Sequence, residues 1–463
     1  MITDRFRSTC LALVLAALGF AALPLSAGQG PSIVLRKDGR MDADVRNWPI
    51  ATLLERLSKT AGWEIMVEPG IEHTASARFS NQPVSDGLRI LLGNLNFAVI
   101  PQTNGVARLY VFRASMNSAT ELIQPGVEAL PAAGSAVAIT NELVVVLKPG
   151  ANIEELARAL GAKVLGKLDG LNAYRLQFAD AEAVRKAREL LNANPEVAGV
   201  HNNYSLPGSP TPPPLVASSQ PPLGLQVKAP PASGRVVVGL IDTAIQPLGG
   251  GLDAFIQPQI SVAGPSEVPV GEPTHATSMA QTILTSVQNI TGGSSSVQIL
   301  PVDVYGSSGA TTTFDVARGI LTAVNAGANP INLSLGSEAD SAFLHEVIKQ
   351  AKAQGIVFFG AAGNQPTTDA TFPAAYPEVT AVTAADRQRQ IASYANRGNF
   401  VDIIAPGTGV VYYQGQPYLV NGTSAAAAFA SGMAAGVAEV RGKPLAEVEA
   451  AMRNSLSVKP AGK

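Results

Sequence analysis

Four residues of this 463-residue chain could do chemistry together: Asp242, His275, Asn364 and Ser424. A serine hydroxyl becomes a nucleophile only beside a base. An imidazole can take its proton, a carboxylate behind the ring fixes the tautomer, and an amide can donate to the oxyanion that forms. Taken singly, none of the four is specific. Asp242 closes an apolar run and Asn364 follows Gly363, which are ordinary turn positions, and His275 is as readily a satisfied polar residue as a base. Ser424 follows Asn421-Gly422-Thr423 and opens an alanine-rich run that continues to about Glu439. Locally that reads as Thr423 or Ser424 capping a helix. The same helix start carries free N–H groups and the positive end of the dipole, which favour an oxyanion. The order Asp, His, Asn, Ser, with every member at a junction between elements, is what joins four weak signals.

The elements that must position them follow from hydrophobic patterning. From Gly234 onward, apolar runs of strand length (235–241, 297–304, 331–335, 356–359, 378–383, 400–404) alternate with helical stretches (313–326, 341–354, and the run after Ser424). Strands apolar on both faces, separated by helices, predict an α/β fold with a doubly wound, mostly parallel sheet. Loops after the C-terminal ends of such strands gather site residues, and there the four candidates fall.

The segments Val238-Gly-Leu-Ile-Asp242-Thr243, His275-Ala-Thr-Ser-Met-Ala280, Ile331-Asn-Leu-Ser-Leu-Gly336, Gly360-Ala-Ala-Gly-Asn364, Val401-Asp-Ile-Ile-Ala-Pro-Gly407 and Asn421-Gly-Thr-Ser424 stand in one order over about 200 residues. In these motifs residues 235–440 resemble the catalytic domain of subtilisin-like serine peptidases, whose triads run in the order Asp, His, Ser. The resemblance implies a catalytic triad of Asp242, His275 and Ser424. The Asn364 side chain and the Ser424 N–H would form the oxyanion hole. Substrate would lie extended between Gly309-Ala310-Thr311 and Ser334-Leu335-Gly336, with Thr371 on the floor of the main specificity pocket and a cis Phe372–Pro373 bond beside it. The pocket segments 334–336, 360–363 and Thr371 carry no acidic residue, which points to an apolar preference rather than Arg or Lys. Three positions depart from the family pattern: Ala244 and Ala276 replace glycines, and Ala425–Phe429 replaces Met-Ala-x-Pro-His. No cofactor is implied. Family members often bind structural calcium, but calcium needs six to eight oxygens, and Asp340 and Asp369 stand isolated.

Upstream, residues 1–27 read as an export signal: Arg5 and Arg7, a short apolar core, and a Leu25-Ser-Ala27 cleavage site. The alternative is an uncleaved anchor. The one cysteine, Cys10, lies inside that segment, so a mature chain would carry no disulfide and no thiolate chemistry. Residues 31–115 pattern as helix-strand-helix-strand-strand. This small α+β module resembles the short N-terminal domain of secretins and TonB-dependent receptors, which implies an envelope protein partner; His73 in its loop reads as solvated. Residues 116–140 read as a linker. Residues 141–204 pattern as β-α-β-β-α-β, the split ferredoxin-like arrangement, and resemble the propeptide of subtilisin-like proteases, which lays its last strand into the active site. Residues 205–234, rich in proline, read as a stiff linker with the processing site between about 200 and 234. The peptidase domain is 235–463. With 33 basic against 35 acidic residues the chain has no basic excess, so a nucleic-acid partner is not indicated.

Two functions are therefore open. One is an exported (periplasmic or secreted) serine endopeptidase, acting on protein or peptide substrates and held by its own propeptide. The other is a catalytically degenerate binding or signalling protein of the cell envelope that keeps the fold.

Overall fold

The computed structural model describes residues 32–36, 39–101, 107–113, 118–123, 137–215, 222–232, 234–266, 268–386, 389–392 and 394–458. The export-signal reading of residues 1–27 and most of the linker at 116–140 fall outside them. The chain divides into two units, Met1–Val127 and Glu128–Lys463. Among the described residues no helix is long and apolar enough to cross a membrane.

In the first unit the expected helices and strands are present, with a sheet that the pattern did not announce. Strands β1 (Ser32–Leu35), β2 (Arg40–Pro49) and β4 (Thr74–Pro83) form an antiparallel sheet. Helix α1 (Ile50–Ala61) and strand β3 (Glu64–Val67) lie between β2 and β4 in the chain, and helix α2 (Val84–Leu92) follows. A second sheet has the order β5 (Asn96–Pro101), β6 (Ala107–Phe112), β3, β7 (Glu121–Ile123). β7 lies in the stretch read as linker: it pairs antiparallel with β3, giving three of those residues a ladder to join. Leu53, Leu54, Leu57, Leu88, Leu91 and Leu92 bury one stripe of each helix in a common core with Ile65, Leu109 and Val111. His73 is half-buried, its ring nitrogen bonded to the Leu91 carbonyl at 2.7 Å, so it is tied down rather than solvated.

The second unit begins with β8 (Val137–Leu147), α3 (Ile153–Ala159), β9 (Lys163–Leu168), β10 (Ala173–Gln177), α4 (Ala181–Ala193) and β11 (Val197–Pro207). The sheet order β11-β8-β10-β9 is that of the ferredoxin-like arrangement. Asn152 and Asp180 cap α3 and α4 through their side chains, as short polar residues at helix starts do. The last strand is six residues longer than the pattern implied, running past His201 to Pro207. Its end pairs with β17 (Ala310–Thr312), making a fifth strand across the two modules. Proline is tolerated there because Pro207 ends the strand, where no ladder donor is needed.

The remaining chain builds a seven-stranded parallel sheet. After the short strand β12 (Gln226–Val227), which pairs with β15 (Ser294–Ser295), its members in order are β14 (Ile260–Ser261), β16 (Gln298–Asp303), β13 (Val237–Asp242), β18 (Ile331–Leu333), β19 (Phe358–Ala361), β20 (Val379–Ala385) and β21 (Ile403–Pro406). The first long strand, β13, sits mid-sheet with later strands on both sides, which makes its C-terminal end a topological switch point. Helices α6 (Thr313–Asn325) and α7 (Ala342–Ala353) cover one face, packing Phe314, Ile320 and Val347 on Ile241, Val302 and Leu333. Val144, Leu168 and Leu206 of the ferredoxin-like module join that same core. Helices α5 (His275–Thr291) and α8 (Thr423–Arg441) cover the other face. A hairpin of β22 (Thr408–Tyr413) and β23 (Gln416–Asn421) leads into α8, and α9 (Leu445–Ser455) closes the described chain.

The alanine run after Ser424 is explained by this packing. Ala425, Ala428 and Ala435 face Ala276, Met279 and Ile283 of α5, while Ala426, Ala427, Ala430 and Ala434 face Phe359, Val382 and Ile403 of the sheet. A helix apolar all round is a buried one, and small side chains let it lie close to both neighbours. At Gly432 an added Cβ would stand 2.3 Å from the Ile283 carbonyl oxygen.

Candidate active site

The C-terminal end of β13 holds Asp242, which is buried. His275, the first residue of α5, donates through Nδ1 to the carboxylate oxygens at 2.8 and 2.9 Å. Thr243 adds its N–H to Asp242 at 2.7 Å and its hydroxyl at 3.2 Å, and that hydroxyl accepts from Ala276 N at 3.0 Å. A second tie comes from Gln246, whose Oε1 accepts from Thr274 N at 2.7 Å and from the Thr277 hydroxyl at 3.1 Å. Strand end and helix start are thereby locked to one another, which fixes the carboxylate–imidazole pair. Neither Thr243 nor Gln246 was singled out in the sequence. Ala244 has no positive φ, and Ala276 sits in the first turn of α5, so both replacements of glycine are accommodated.

At Ser424 the local reading of a side-chain cap does not hold. The residue at the cap of α8 is Gly422, with φ 147° and ψ 167°, and no side chain caps the helix. A Cβ on Gly422 would stand 3.2 Å from Asn364 Nδ2, so glycine is needed for that approach. Both hydroxyls turn elsewhere. Thr423 Oγ1 bonds Asn364 Oδ1 at 3.0 Å and accepts from Gly363 N, while Ser424 Oγ donates to the Ser334 carbonyl at 3.2 Å. Asn364 Oδ1 also accepts from Thr423 N at 2.8 Å. With its oxygen held twice, the Asn364 amide is oriented and its NH2 faces the start of α8. The Ser424 N–H is one of the four that a helix start leaves without an intrahelical acceptor.

Ser424, Asn364, Thr423, Ser334, Leu335, Gly336 and Thr371 line one cleft of about 300 Å³. Asn396 belongs to it as well and escaped the sequence reading: its amide donates to Thr371 Oγ1 at 3.0 Å and its carbonyl oxygen accepts from Gln365 N. The Phe372–Pro373 bond is cis, as the resemblance implied, and Asn329–Pro330 is cis too. The cleft also carries two exposed carboxylates, Glu338 and Asp369. They lie outside the segments from which an acid-free, apolar pocket was read, so that expectation rested on an incomplete lining. Among the described residues no group of three or more His, Cys, Asp or Glu side chains gathers where it could hold a metal ion.

The cleft is not empty of polypeptide. Pro207, Gly208, Ser209 and Pro210 are among its lining residues. Leu206 pairs with Thr311 and Pro207 with Ala310, and Gly208 N donates to the Gly309 carbonyl at 2.9 Å. Gly309, Ala310 and Thr311 thus do pair with an extended chain, and that chain is the protein's own. Leu206 is buried in the core that includes Phe314. Tyr305 donates its hydroxyl to the Pro207 carbonyl at 3.3 Å. Burial pushes the Tyr305 phenol far up, and the carboxylates of Asp242 and Asp303 add to the shift, so it acts there as a neutral donor.

The two modules of this unit are also joined away from the cleft. Asn203, fully buried on β11, accepts from Phe314 N and the Thr313 hydroxyl at the start of α6, both at 3.1 Å, and donates to Glu142 at 2.8 Å. Arg175 bridges Glu142 and Asp315 at 2.8 and 3.0 Å.

Comparison with known proteins gives the family. A model described as the subtilase family matches residues 233–459, and one described as the fervidolysin N-terminal prodomain matches residues 125–203. Subtilisin Savinase of Lederbergia lenta is 33% identical over 226 residues, 45% of this chain and 81% of that protein. A thermophilic serine proteinase of Bacillus sp. (strain AK1) is 30% identical over 318 residues, 64% of this chain and 77% of that protein. M-protease of Shouchella clausii is 33% identical over 226 residues, and the chain spans 57% of its length. The crystal structure of fervidolysin from Fervidobacterium pennivorans, described as a keratinolytic enzyme related to subtilisin, shares the fold. Its TM-score is 0.53 at 18% identity, covering 67% of this chain and 56% of that one.

Proposed function

Because the chain belongs to the subtilase family of serine peptidases, we propose that it is an exported serine endopeptidase made as a self-processed precursor. In this reading His275 takes the proton of Ser424 as the hydroxyl attacks a peptide carbonyl, and returns it to the leaving nitrogen. Asp242 holds the ring in the tautomer that leaves Nε2 free and stabilises the imidazolium. The Ser424 N–H and the Asn364 amide would donate to the oxyanion of the tetrahedral intermediate. The observation that carries the proposal is the buried Asp242–His275 pair at 2.8 Å, with His275 opening helix α5, whose neighbour α8 carries Ser424 in its first turn. For the hydroxyl to reach the imidazole it must leave the Ser334 carbonyl, to which it donates at 3.2 Å.

The ferredoxin-like module, with β11 running into the cleft, is the propeptide of this reading. It inhibits by filling the acyl side of the site with Leu206–Gly208. Export is supported by the charge and apolar pattern of residues 1–27. The first module carries none of the site residues, and we assign it to docking with an envelope protein.

The decisive experiment pairs a serine-reactive fluorophosphonate with intact-mass measurement of wild type and Ser424→Ala. The proposal expects the probe's mass on Ser424 of the processed enzyme, and a cut between residues 200 and 234 that the variant lacks. A folded wild type that is neither labelled nor cut, and matches Ser424→Ala in mass, would favour a binding protein that keeps the fold without turnover.

A further inference from the structure

The chain that enters the cleft along β17 leaves it along a second strand. Past the cleft, Pro213 offers its carbonyl to Leu419 N at 2.9 Å, Leu215 N donates to the Pro417 carbonyl at 2.8 Å, and Pro214 stands opposite Tyr418 in antiparallel register. Continued to the end of β23, that register sets Thr211 opposite Asn421, three residues before Ser424, and Pro207–Pro210 line the same cleft as Ser424. On the other side, Leu206 and Pro207 are fixed to Thr311 and Ala310. The few residues between these two anchors therefore cross the serine stretched.

The chemistry of the outgoing segment fits the edge it occupies. In an antiparallel ladder, alternate residues make no hydrogen bond to the facing strand. Pro214 occupies such a place, so its missing N–H costs nothing, and Pro213 contributes only a carbonyl. Leu215 is the single required donor. A run of prolines is already extended before it binds, so little chain entropy is lost on docking. The edge is held ready as well. The other side of β23 is paired to β22, and the Tyr418 hydroxyl is anchored on the Gly271 carbonyl at 2.9 Å.

We propose that the outer edge of β23 at Pro417–Leu419 is a docking strand for the leaving side of a peptide being cut. It would take extended, proline-containing chain with a free N–H facing Pro417, and its first ligand is the protein's own Pro213–Leu215. Holding both sides of the bond restricts the approach of the carbonyl to Ser424, an orientational gain that an acyl-side contact alone does not supply. The proposal rests on the reading of Ser424 as nucleophile.

The test follows self-processing of the full chain by intact mass in wild type, Leu215→Pro and Leu215→Val. Leu215 is only partly buried, so neither change opens a core. Leu215→Pro removes the one donor and is expected to process about fivefold more slowly, the size of one net hydrogen bond, while Leu215→Val keeps the wild-type rate. Equal rates in Leu215→Pro and wild type would overturn the proposal. Failure of the catalytic reading looks different: wild type itself stays uncut, like Ser424→Ala. Should Leu215→Pro not fold, the processed wild-type enzyme decides, using quenched peptides that carry Pro-Pro-Leu on the leaving side. N-methylation of that leucine should lower kcat/KM about fivefold, and an unchanged kcat/KM refutes the docking strand.

Discussion

The join between the ferredoxin-like module and α6 makes a quantitative prediction through Asn203→Leu. The replacement has the same branching and number of side-chain heavy atoms but no polar atom, and the site is fully buried. It strips acceptors from Phe314 N and the Thr313 hydroxyl and removes one donor from Glu142. Glu142 keeps Arg175 at 2.8 Å, and Thr313 Oγ1 still accepts from Tyr204 N, so part of the loss is compensated. The Phe314 N–H is left buried without an acceptor. A buried unsatisfied donor costs about 1–3 kcal/mol, and with the two weakened bonds a total of about 3 kcal/mol is expected. At 1.4 kcal/mol per tenfold, the processed propeptide should bind about 100-fold more weakly. The assay is hydrolysis of a chromogenic peptide by the processed complex on serial dilution, where the concentration at which activity appears reports the dissociation constant. A shift under threefold, in a variant whose circular dichroism and melting match wild type, would refute the claim that Asn203 ties the modules together.

Three further outcomes follow from the site and its supports. Asn364→Ala should lower kcat with little change in KM, by about 10²–10³, the size seen on loss of the asparagine donor in subtilisin. Gly432→Ala drives a Cβ to 2.3 Å from the Ile283 carbonyl and 2.9 Å from Ser286 Cβ, so α5 and α8 must separate. A cost of about 1–3 kcal/mol should lower the melting temperature, and kcat should fall too, because His275 and Ser424 lie in the first turns of those two helices. His201 has its pKa lowered, by burial first and by Arg188 second, and it packs 6.0 Å from the Phe343 ring of α7. The unfolded chain thus binds the proton more readily than the folded one. Stability from this group is whole above the ordinary histidine pKa of about 6.5 and drains away as pH falls below it toward the lowered folded value. Melting of Ser424→Ala against pH should show that loss, and His201→Phe should flatten it.

What could be read from the sequence was local. β13, β16 and β18 are buried on both faces, so their apolar runs are nearly continuous and place Asp242 and the Ser334 wall directly. The starts of α5 and α8 are marked by Thr274-His275 and Gly422-Thr423. What escaped depends on partners distant in the chain. Pro207 and Pro213–Leu215 looked like linker because proline argues against a strand; each of these prolines occupies a place where no donor is required, and only the facing strand reveals that. Gln246, Asn396 and Asn203 are unremarkable polar residues in sequence. Their roles come from what the fold sets opposite them. The sheet of β1, β2 and β4 was hidden by register shifts between Met41 and Ala43 and between Val45 and Trp48, and by Asn47 at positive φ, which break the two-residue period.

The start of α8 shows why the local odds misled. A serine or threonine at a helix start is ordinarily a cap, and a cap consumes the N–H groups that an oxyanion would need. Here glycine holds the cap position and offers no side chain. Asn364 takes the Thr423 N–H through its own oxygen, with its Nδ2 beside Gly422. The next N–H, that of Ser424, is the one the proposed oxyanion hole would use. The alanines that follow serve the same end by different means. They let α8 lie against α5 closely enough that the helix start bearing His275 and the one bearing Ser424 are set by a single crossing, at Gly432. Any residue that widens that crossing should separate base from nucleophile before it unfolds the protein. With His275 as base and Ser424 as nucleophile, as proposed, helix packing and catalytic geometry are one constraint, and a loss of kcat measured on fully folded protein, well below its melting temperature, in a graded series at position 432 is its signature.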